Sequence, residues 1–125
     1  MPAPRVLIVE DSIVSAMMME ATIERKQPDA QVRVCRTLKG GLRELLDFRP
    51  HVVLLDLGLP DSPEGNKTVG ASPSFAEHAN VLAVSGRDDL RDAALKAGAK
   101  DFFLKGFATE DALPFIDRVT HLLPC

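Results

Sequence analysis

Short uninterrupted apolar runs alternate along this chain with longer stretches in which apolar residues recur every three or four positions. The runs predict strands buried in a parallel sheet, because a strand covered on both faces needs no polar positions. One run, residues 31–36, instead alternates polar and apolar residues, which indicates a half-buried strand near a sheet edge. The five predicted strands are residues 6–9, 31–36, 51–56, 80–86 and 101–106.

Helical spacing of apolar residues predicts a helix after each of the first two strands. Ser12 or Asp11 can cap the first helix, and Thr37 starts the second. We expect the three methionines at 17–19 to fill the core, because methionine adapts to irregular gaps. The apolar positions with helical spacing are Ile13, Ala16, Met19 and Ile23 in the first helix and Leu38, Leu42, Leu45 and Leu46 in the second.

Two further helices are predicted near the end of the chain. Residues 88–97 have the spacing of a helix, and Gly98 is expected to terminate it. The last helix carries an apolar stripe over 113–123. Pro114 is tolerated in that helix if it begins near Asp111, since proline fits the first helical turn.

Residues 61–79 break the pattern of regular crossovers. They contain two prolines and two glycines and show little apolar periodicity. We therefore expect an irregular or shortened third crossover helix, begun at Ser72 and Pro73 or by the capping pair of Ser74 and Glu77.

Strand and helix alternate five times, which predicts an α/β fold with a doubly wound, five-stranded parallel sheet. The length of 125 residues suits one domain over 1–125. A net charge of −3 gives no reason to expect direct contact with nucleic acid. No apolar stretch approaches the ~20 residues of a membrane span, so no membrane contact is expected. Two cysteines without metal-type spacing favour the cytosol.

Polar residues stand at the ends of four predicted strands. Glu10 and Asp11 follow the first strand, Asp56 ends the third, and Ser85 and Lys105 lie at the ends of the fourth and fifth. These strand ends share one edge of a parallel sheet, so we expect the side chains to be neighbours. Mg²⁺ relieves repulsion among the carboxylates and also binds a phosphate oxygen. With a lysine and a hydroxyl opposite, Asp56 is suited to accept a phosphoryl group by in-line attack.

The chain resembles the receiver domain of two-component response regulators along almost its whole length. The resemblance rests on four ordered motifs, at residues 6–12, 54–61, 84–86 and 102–106. It implies a flavodoxin-like, CheY-like fold and a cytoplasmic protein that is switched by Mg²⁺-dependent phosphorylation. It also implies a histidine kinase or phosphotransfer protein as phosphodonor and a downstream protein as target.

The resemblance assigns a role to each residue of the predicted site. Glu10 and Asp11 become the acidic pair that holds Mg²⁺, with Asp56 and the backbone carbonyl of Gly58 as further ligands. Asp56 becomes the phosphoacceptor that forms an aspartyl phosphate, and Lys105 becomes the partner of the phosphoryl group.

Signalling and the departures from the family pattern concern other positions. Ser85 becomes the switch hydroxyl and Phe102 the switch aromatic, which together alter the surface of the fourth helix, fifth strand and fifth helix.

Phe102 lacks the hydroxyl of the commoner tyrosine, so its effect must come from packing. Gly106 stands where receivers commonly have proline, and we expect a trans bond before it. Arg87 lies where family members tune hydrolysis.

Other interpretations stay open beside the phosphorylation switch. The chain is alternatively a receiver-like interaction module with degenerate switching, or a fragment of a multidomain regulator or hybrid kinase. A dehalogenase-type phosphatase needs a second aspartate where Gly58 stands, and a flavodoxin needs a hydroxyl-rich phosphate loop. We therefore expect a phosphoacceptor domain with only self-catalysed phosphotransfer and dephosphorylation, not an enzyme. The histidines His51, His78 and His121 share no metal-type spacing and suggest no site.

Overall fold

The computed structural model describes residues 3–61, 66–105 and 112–123. The strands are β1 (Arg5–Val9), β2 (Gln31–Cys35), β3 (Val52–Asp56), β4 (Asn80–Ser85) and β5 (Asp101–Leu104). The helices are α1 (Ile13–Lys26), α2 (Leu38–Phe48), α3 (Asn66–Ala76), α4 (Arg91–Lys96) and α5 (Ala112–Leu122), with a 3₁₀ turn at Asp88–Leu90. The strands pair in parallel in the order β2-β1-β3-β4-β5. The predicted doubly wound sheet and the edge position of β2 are confirmed.

Alternate residues of each central strand face opposite sides of the sheet, so the core has two halves. Leu7 and Val9 of β1 pack in a cluster with residues of α2, α3 and α4. Val6 and Ile8 pack in the other cluster, with residues of α1 and α5. Both faces of the sheet are therefore covered, and this explains why β1, β3 and β4 need uninterrupted apolar sequence.

Side-chain caps set where the first two helices begin, as predicted. The hydroxyl of Ser12 accepts a hydrogen bond from the N–H of Ser15 (3.3 Å), and that of Thr37 accepts one from the N–H of Gly40 (3.0 Å). Each cap satisfies a backbone donor that the first helical turn leaves without a partner. Because Ser12 caps it, α1 begins at Ile13, shortly after the residues Glu10 and Asp11 that follow β1.

α1 buries a narrower stripe than its sequence predicts. Ala16 and Met19 are buried, whereas Ile13 is 58% exposed. Met17 and Met18 are 63% and 50% exposed, so the prediction that all three methionines fill the core is wrong for these two. Successive helical residues point about 100° apart, and only one direction faces the sheet. Leu46 of α2 is exposed for the same reason.

The third crossover contains a longer helix than its composition indicates. α3 has 11 residues and begins at Asn66, so the predicted starts at Ser72 or Ser74 are wrong. Its irregularity is Pro73, which lies inside the helix. Phe75 is fully buried and anchors α3 on the sheet. Val69, Ala71 and Ala76 pack against the same cluster, and their burial together with that of Phe75 offsets the cost of the proline.

The last part of the chain follows the prediction with small changes. The predicted helix over 88–97 is divided into the 3₁₀ turn and α4, and Gly98 ends it with a φ of +112°. α5 begins at Ala112, which puts Pro114 in its first turn. The side chain of Leu113 and the peptide bond before Gly106 lie outside the described residues. None of the described helices is long and apolar enough to cross a membrane.

Candidate functional site

The parallel sheet brings the predicted site residues to one edge. Asp56 ends β3, Ser85 ends β4, and Lys105 follows the last residue of β5. Backbone bonds carry the pairing beyond the strands, since the N–H of Lys105 donates to the carbonyl of Ser85 (2.7 Å). Glu10 follows β1, and its N–H donates to the carbonyl of Cys35 (2.8 Å). The loops that carry the side chains are thus held rigidly at their bases.

Three carboxylates gather at this edge. One oxygen each of Glu10, Asp11 and Asp56 can be chosen so that all three lie within 4.8 Å of one another. Glu10 and Asp56 are only 1% and 5% exposed, and Asp11 is partly exposed. Carboxylates that are this close together and shielded from solvent repel each other strongly when ionised. The arrangement therefore calls for a cation or a bound proton.

Lys105 provides a positive charge in the cluster. Its Nζ forms a short hydrogen bond with Oε1 of Glu10 and lies 3.3 Å from Oδ2 of Asp56. Burial alone lowers the pKa of Lys105, but its hydrogen bond to Glu10 and the charge of Asp56 outweigh burial and raise that pKa. Lys105 thus stays protonated at neutral pH and bridges two carboxylates that are distant in sequence.

Glu10 is the least well satisfied member of the cluster. Burial and contact with Asp56 raise its pKa to about 7, against an ordinary value of 4.5, although Lys105 acts in the opposite direction. Its Oε2 is buried and has no hydrogen-bond partner among the described residues. One ammonium group therefore does not satisfy this carboxylate. A divalent cation fits the need, because Mg²⁺ prefers carboxylate oxygens.

The carboxylate of Asp56 is held in a defined orientation. Its Oδ1 accepts a hydrogen bond from the N–H of Gly58 (3.0 Å), while its Oδ2 faces Lys105. The carboxylate therefore has one oxygen tied to its own loop and the other beside a cation. The predicted role of the Gly58 carbonyl as a metal ligand stays a prediction.

The two predicted switch residues, Ser85 and Phe102, are both buried. Ser85 is 4% exposed, and its Oγ accepts a hydrogen bond from the N–H of Arg87 (3.0 Å). Phe102 is 1% exposed and packs in the core cluster. The guanidinium of Arg91 covers the Phe102 ring, 4.7 Å from its centre. Phe102 is thus in an inward position, closed off from solvent by an arginine of α4.

Asp61 has a structural role at the site that sequence reasoning missed. Its carboxylate accepts hydrogen bonds from the N–H groups of Leu38 (2.9 Å) and Lys39 (3.1 Å), at the first turn of α2. The bond from Leu38 is the main reason that the pKa of Asp61 lies below its ordinary value. This bond ties the loop after Asp56 to α2. The sequence feature that could have indicated this role is the position of Asp61 itself, an acidic residue at the end of the motif at residues 54–61.

Glu10 should make the metal-free protein less stable as the pH rises. The raised pKa means that the folded protein holds this proton more tightly than the unfolded chain does. The stabilisation that protonated Glu10 contributes is therefore fully present below about pH 4.5 and is lost as the pH rises through about 7. The loss attributable to Glu10 should be roughly 3 kcal/mol. Urea unfolding at pH 5 and pH 8 in EDTA, followed by circular dichroism, measures it.

Two comparisons isolate the contribution of Glu10. Glu10→Gln should remove most of the pH-dependent loss, and Glu77→Gln, at an exposed position, should leave it unchanged. Burial and the charge of Arg5 lower the pKa of His51, which makes stability rise up to about pH 6.5. Each variant keeps His51, so the difference in free energy of unfolding between the variant and the natural protein at each pH does not contain that effect. A Glu10→Gln protein with the full loss would contradict the assignment.

Comparison with known proteins identifies relatives over nearly the whole chain. The family model described as response regulator receiver domain matches residues 6–117. The transcriptional regulatory protein KdpE of Mycobacterium tuberculosis is 35% identical over 112 residues, which cover 86% of this chain and 47% of KdpE. The chemotaxis protein CheY of Listeria monocytogenes is 27% identical over 119 residues, covering 91% of this chain and 96% of CheY.

A solved structure with the same fold carries a modified aspartate. It is a response regulator protein from Burkholderia pseudomallei with a phosphorylated aspartic acid and a calcium ion. The TM-score is 0.72 at 19% identity, covering 94% of this chain and 71% of that one. The present chain spans about half the length of the KdpE relatives it matches.

Proposed function

This chain belongs to the family of response regulator receiver domains, and we propose that its Asp56 accepts a phosphoryl group from a histidine kinase or phosphotransfer protein. The result is a cytoplasmic switch that controls a downstream protein. The observation that supports it most is the position of Lys105 Nζ, 3.3 Å from Asp56 Oδ2 and beside a carboxylate cluster. A lysine in that place neutralises charge on phosphoryl oxygens.

The proposed transfer is an in-line displacement at phosphorus. A carboxylate oxygen of Asp56 forms a bond to phosphorus while the phosphorus–nitrogen bond of the donor phosphohistidine breaks. The imidazole of the donor keeps the electron pair and takes a proton from water. Mg²⁺, held by Glu10, Asp11 and Asp56, supplies charge neutralisation on the transferring oxygens when bound. Asp56 is consumed in each event, so we propose a phosphoacceptor with self-catalysed dephosphorylation rather than an enzyme.

Signalling starts at Ser85 in this proposal. The Ser85 Oγ already accepts a bond from the Arg87 N–H, so its own O–H proton is available to donate to a phosphoryl oxygen. Movement of the Ser85 loop toward Asp56 makes room for Phe102 to rotate from its inward position. That rotation changes the packing of Arg91 on the ring and hence the α4-β5-α5 surface. The response is a shift between two populations of one fold.

The relatives differ in what they suggest about the downstream target. KdpE is named a transcriptional regulatory protein and is about twice as long as this chain, whereas CheY matches end to end. The proposal for this domain is control of a protein partner. The expectation that it contacts no nucleic acid itself stays a prediction. A receiver within a larger regulator and a module with degenerate switching also remain candidates.

An exposed apolar patch on α1 supports docking of the phosphodonor next to the site. We define the α1 patch by its exposed side chains, Ile13, Val14, Met17 and Met18, which are 50–67% exposed. The patch begins two residues after Asp11, a member of the carboxylate cluster. A protein that brings its phosphohistidine to Asp56 contacts this end of α1. Burial of these side chains contributes about 25 cal/mol per Å² of apolar surface.

Phosphotransfer from the histidine kinases of the source cell tests the proposal. We expect rapid Mg²⁺-dependent transfer from at least one kinase. The double variant Ile13→Gln/Met17→Gln should slow that transfer about tenfold, since loss of two apolar anchors costs more than about 1.4 kcal/mol of binding. Its labelling by acetyl phosphate should be unchanged, because that donor needs no protein contact.

A matched variant shows whether the effect belongs to the α1 patch. Leu46→Gln removes an exposed apolar side chain from α2 and should leave kinase transfer unchanged. No transfer from any kinase, together with no labelling by acetyl phosphate, would refute the phosphoacceptor function. An equal loss with both donors in the double variant would refute only the docking role.

A further inference from the structure

A cavity of about 650 Å³ lies at the opposite edge of the sheet from Asp56. It forms where parallel strands begin: Arg5 starts β1, His51 precedes β3, Asn80 starts β4 and Lys100 precedes β5. The twelve residues that line it include three permanent cations and three histidines but no acidic residue. The charged and titratable ones are Arg5, Arg49, Lys100, His51, His78 and His121. This concentration of positive charge is unexpected in a chain of net charge −3.

The cations of this cavity form no ion pair with an acidic side chain of the described residues, as is also true of Arg25, Arg36 and Arg43. Arg5, Arg49 and Lys100 form no ion pair with any residue in the described ranges. By contrast, Arg33 pairs with Glu44 at 2.7 Å, and three arginines elsewhere also have acidic partners. The positive charge at the cavity is therefore not compensated by acidic side chains of the described residues.

Local contacts hold two cavity residues in fixed positions. The Nε of Arg5 donates to the carbonyl of Arg49 (2.9 Å). The backbone N–H of Arg5 donates to Nδ1 of His51 (2.9 Å), so the proton of neutral His51 is on Nε2. Arg49 itself has a φ of +53°, a conformation that is uncommon for a residue other than glycine. An arginine thus occupies a position that favours glycine.

Cations near helix C-termini also complement the helix dipole, and α2, α3 and α5 end near this cavity. That role explains Arg49 and His121 individually. It does not explain Arg5, which lies at the start of a strand, or why all three histidines of the chain share one cavity. The space is shallow and open, so the argument for a ligand rests on the convergence of six positively charged or titratable side chains around it.

We propose that this cavity binds a small polyvalent anion of the phosphate or carboxylate type. Guanidinium groups recognise both by paired N–H donors, and Lys100 and the histidines add further donors. The site is independent of Asp56 and of the proposed phosphotransfer. A bound anion would contact residues at the beginnings of β1, β3, β4 and β5. Such binding would stabilise the folded protein by mass action.

The three histidines provide a specific spectroscopic test, because all of them line the cavity. The full chain is titrated with inorganic pyrophosphate, and separately with citrate, at constant pH 8 and constant ionic strength. The carbon-bound ring protons of the histidines are followed by NMR. Saturable shifts of all three signals are expected, and the tighter of the two anions identifies phosphate or carboxylate as the preferred group. Shifts that stay linear with both anions would overturn the proposal.

A pair of charge-matched variants distinguishes a built site from general attraction. Arg49→Gly with Lys100→Gln removes two cavity cations, and glycine accepts the positive φ without strain. This variant should bind the preferred anion at least about tenfold more weakly. Arg43→Gln with Lys39→Gln removes two exposed cations of α2 and should bind normally. Equal weakening in both variants would show that net charge alone attracts the anion, and the site assignment would be wrong.

Discussion

Asp56→Asn should abolish covalent labelling of this protein by acetyl phosphate in the presence of Mg²⁺. The amide has the shape of the carboxylate but is a poor nucleophile, and loss of a nucleophile costs roughly two orders of magnitude or more in rate. The variant should fold, since the oxygen of the substituted amide still accepts a bond from the N–H of Gly58. The substitution also removes one negative charge from a cluster of three carboxylates. Intact-protein mass spectrometry measures the labelled fraction.

Asp92→Asn is the matched control for Asp56→Asn. It makes the same chemical change at an exposed position of α4 that is not part of the carboxylate cluster, and should label as the natural sequence does. Omission of Mg²⁺ should suppress labelling of both the natural protein and the control. Labelling of Asp56→Asn at the natural rate would mean that another side chain is the acceptor.

Lys105→Ala should permit labelling but uncouple it from the signalling surface. Lys105 connects Asp56 on β3 with Glu10 after β1, so its loss removes the cation that we propose contacts the phosphoryl group. The switched population produced by beryllofluoride and Mg²⁺ should fall by roughly fivefold or more, the usual size of a coupling between two sites. Amide chemical shifts of Leu95 and Leu104, which are exposed on α4 and β5, report that population.

The variant Lys39→Ala provides the comparison for Lys105→Ala. Lys39 is exposed on α2, and removal of its side chain should leave both labelling and the amide shifts unchanged. Spectra are compared with Mg²⁺ present, because loss of Lys105 leaves two buried carboxylates without their partner. That loss costs about 3 kcal/mol or more in the metal-free protein. Full natural shifts in Lys105→Ala would refute the coupling role.

The acidic edge of the sheet was predictable because parallel topology requires it. Once β1, β3, β4 and β5 are recognised as parallel strands, Glu10, Asp56, Ser85 and Lys105 must lie at the same edge. The choice of partners was not predictable. Lys105 was expected opposite Asp56 as the partner of a phosphoryl group, and it also forms a short hydrogen bond with Glu10. Distances between side chains on different strands depend on twist and rotamers, which sequence spacing does not express.

The misjudged helical positions have a common physical cause. Ile13 was expected to be buried from helical spacing, and Met17 and Met18 because methionine fills gaps in a core, but the sheet covers only one side of α1. In the third crossover, the prolines, the glycines and the weak periodicity predicted a short helix begun near Ser72 and Pro73, whereas α3 continues through Pro73 and buries Phe75. Local propensity is worth tenths of a kcal/mol for most residues and ~3 kcal/mol for a proline inside a helix, and burial of several apolar side chains on one core is worth more than either. Tertiary packing therefore outweighs local preference where the two disagree.

By itself the sequence determined the order of strands and helices, the parallel sheet and the set of polar residues at its carboxyl edge, since short-range periodicity and chain connectivity encode these. Only the tertiary structure decided which carboxylate is left unsatisfied, which apolar side chains of α1 stay exposed, and that three unrelated histidines meet three cations around one cavity. The physical reason is that burial, charge compensation and cavity shape depend on atoms brought together from distant parts of the chain.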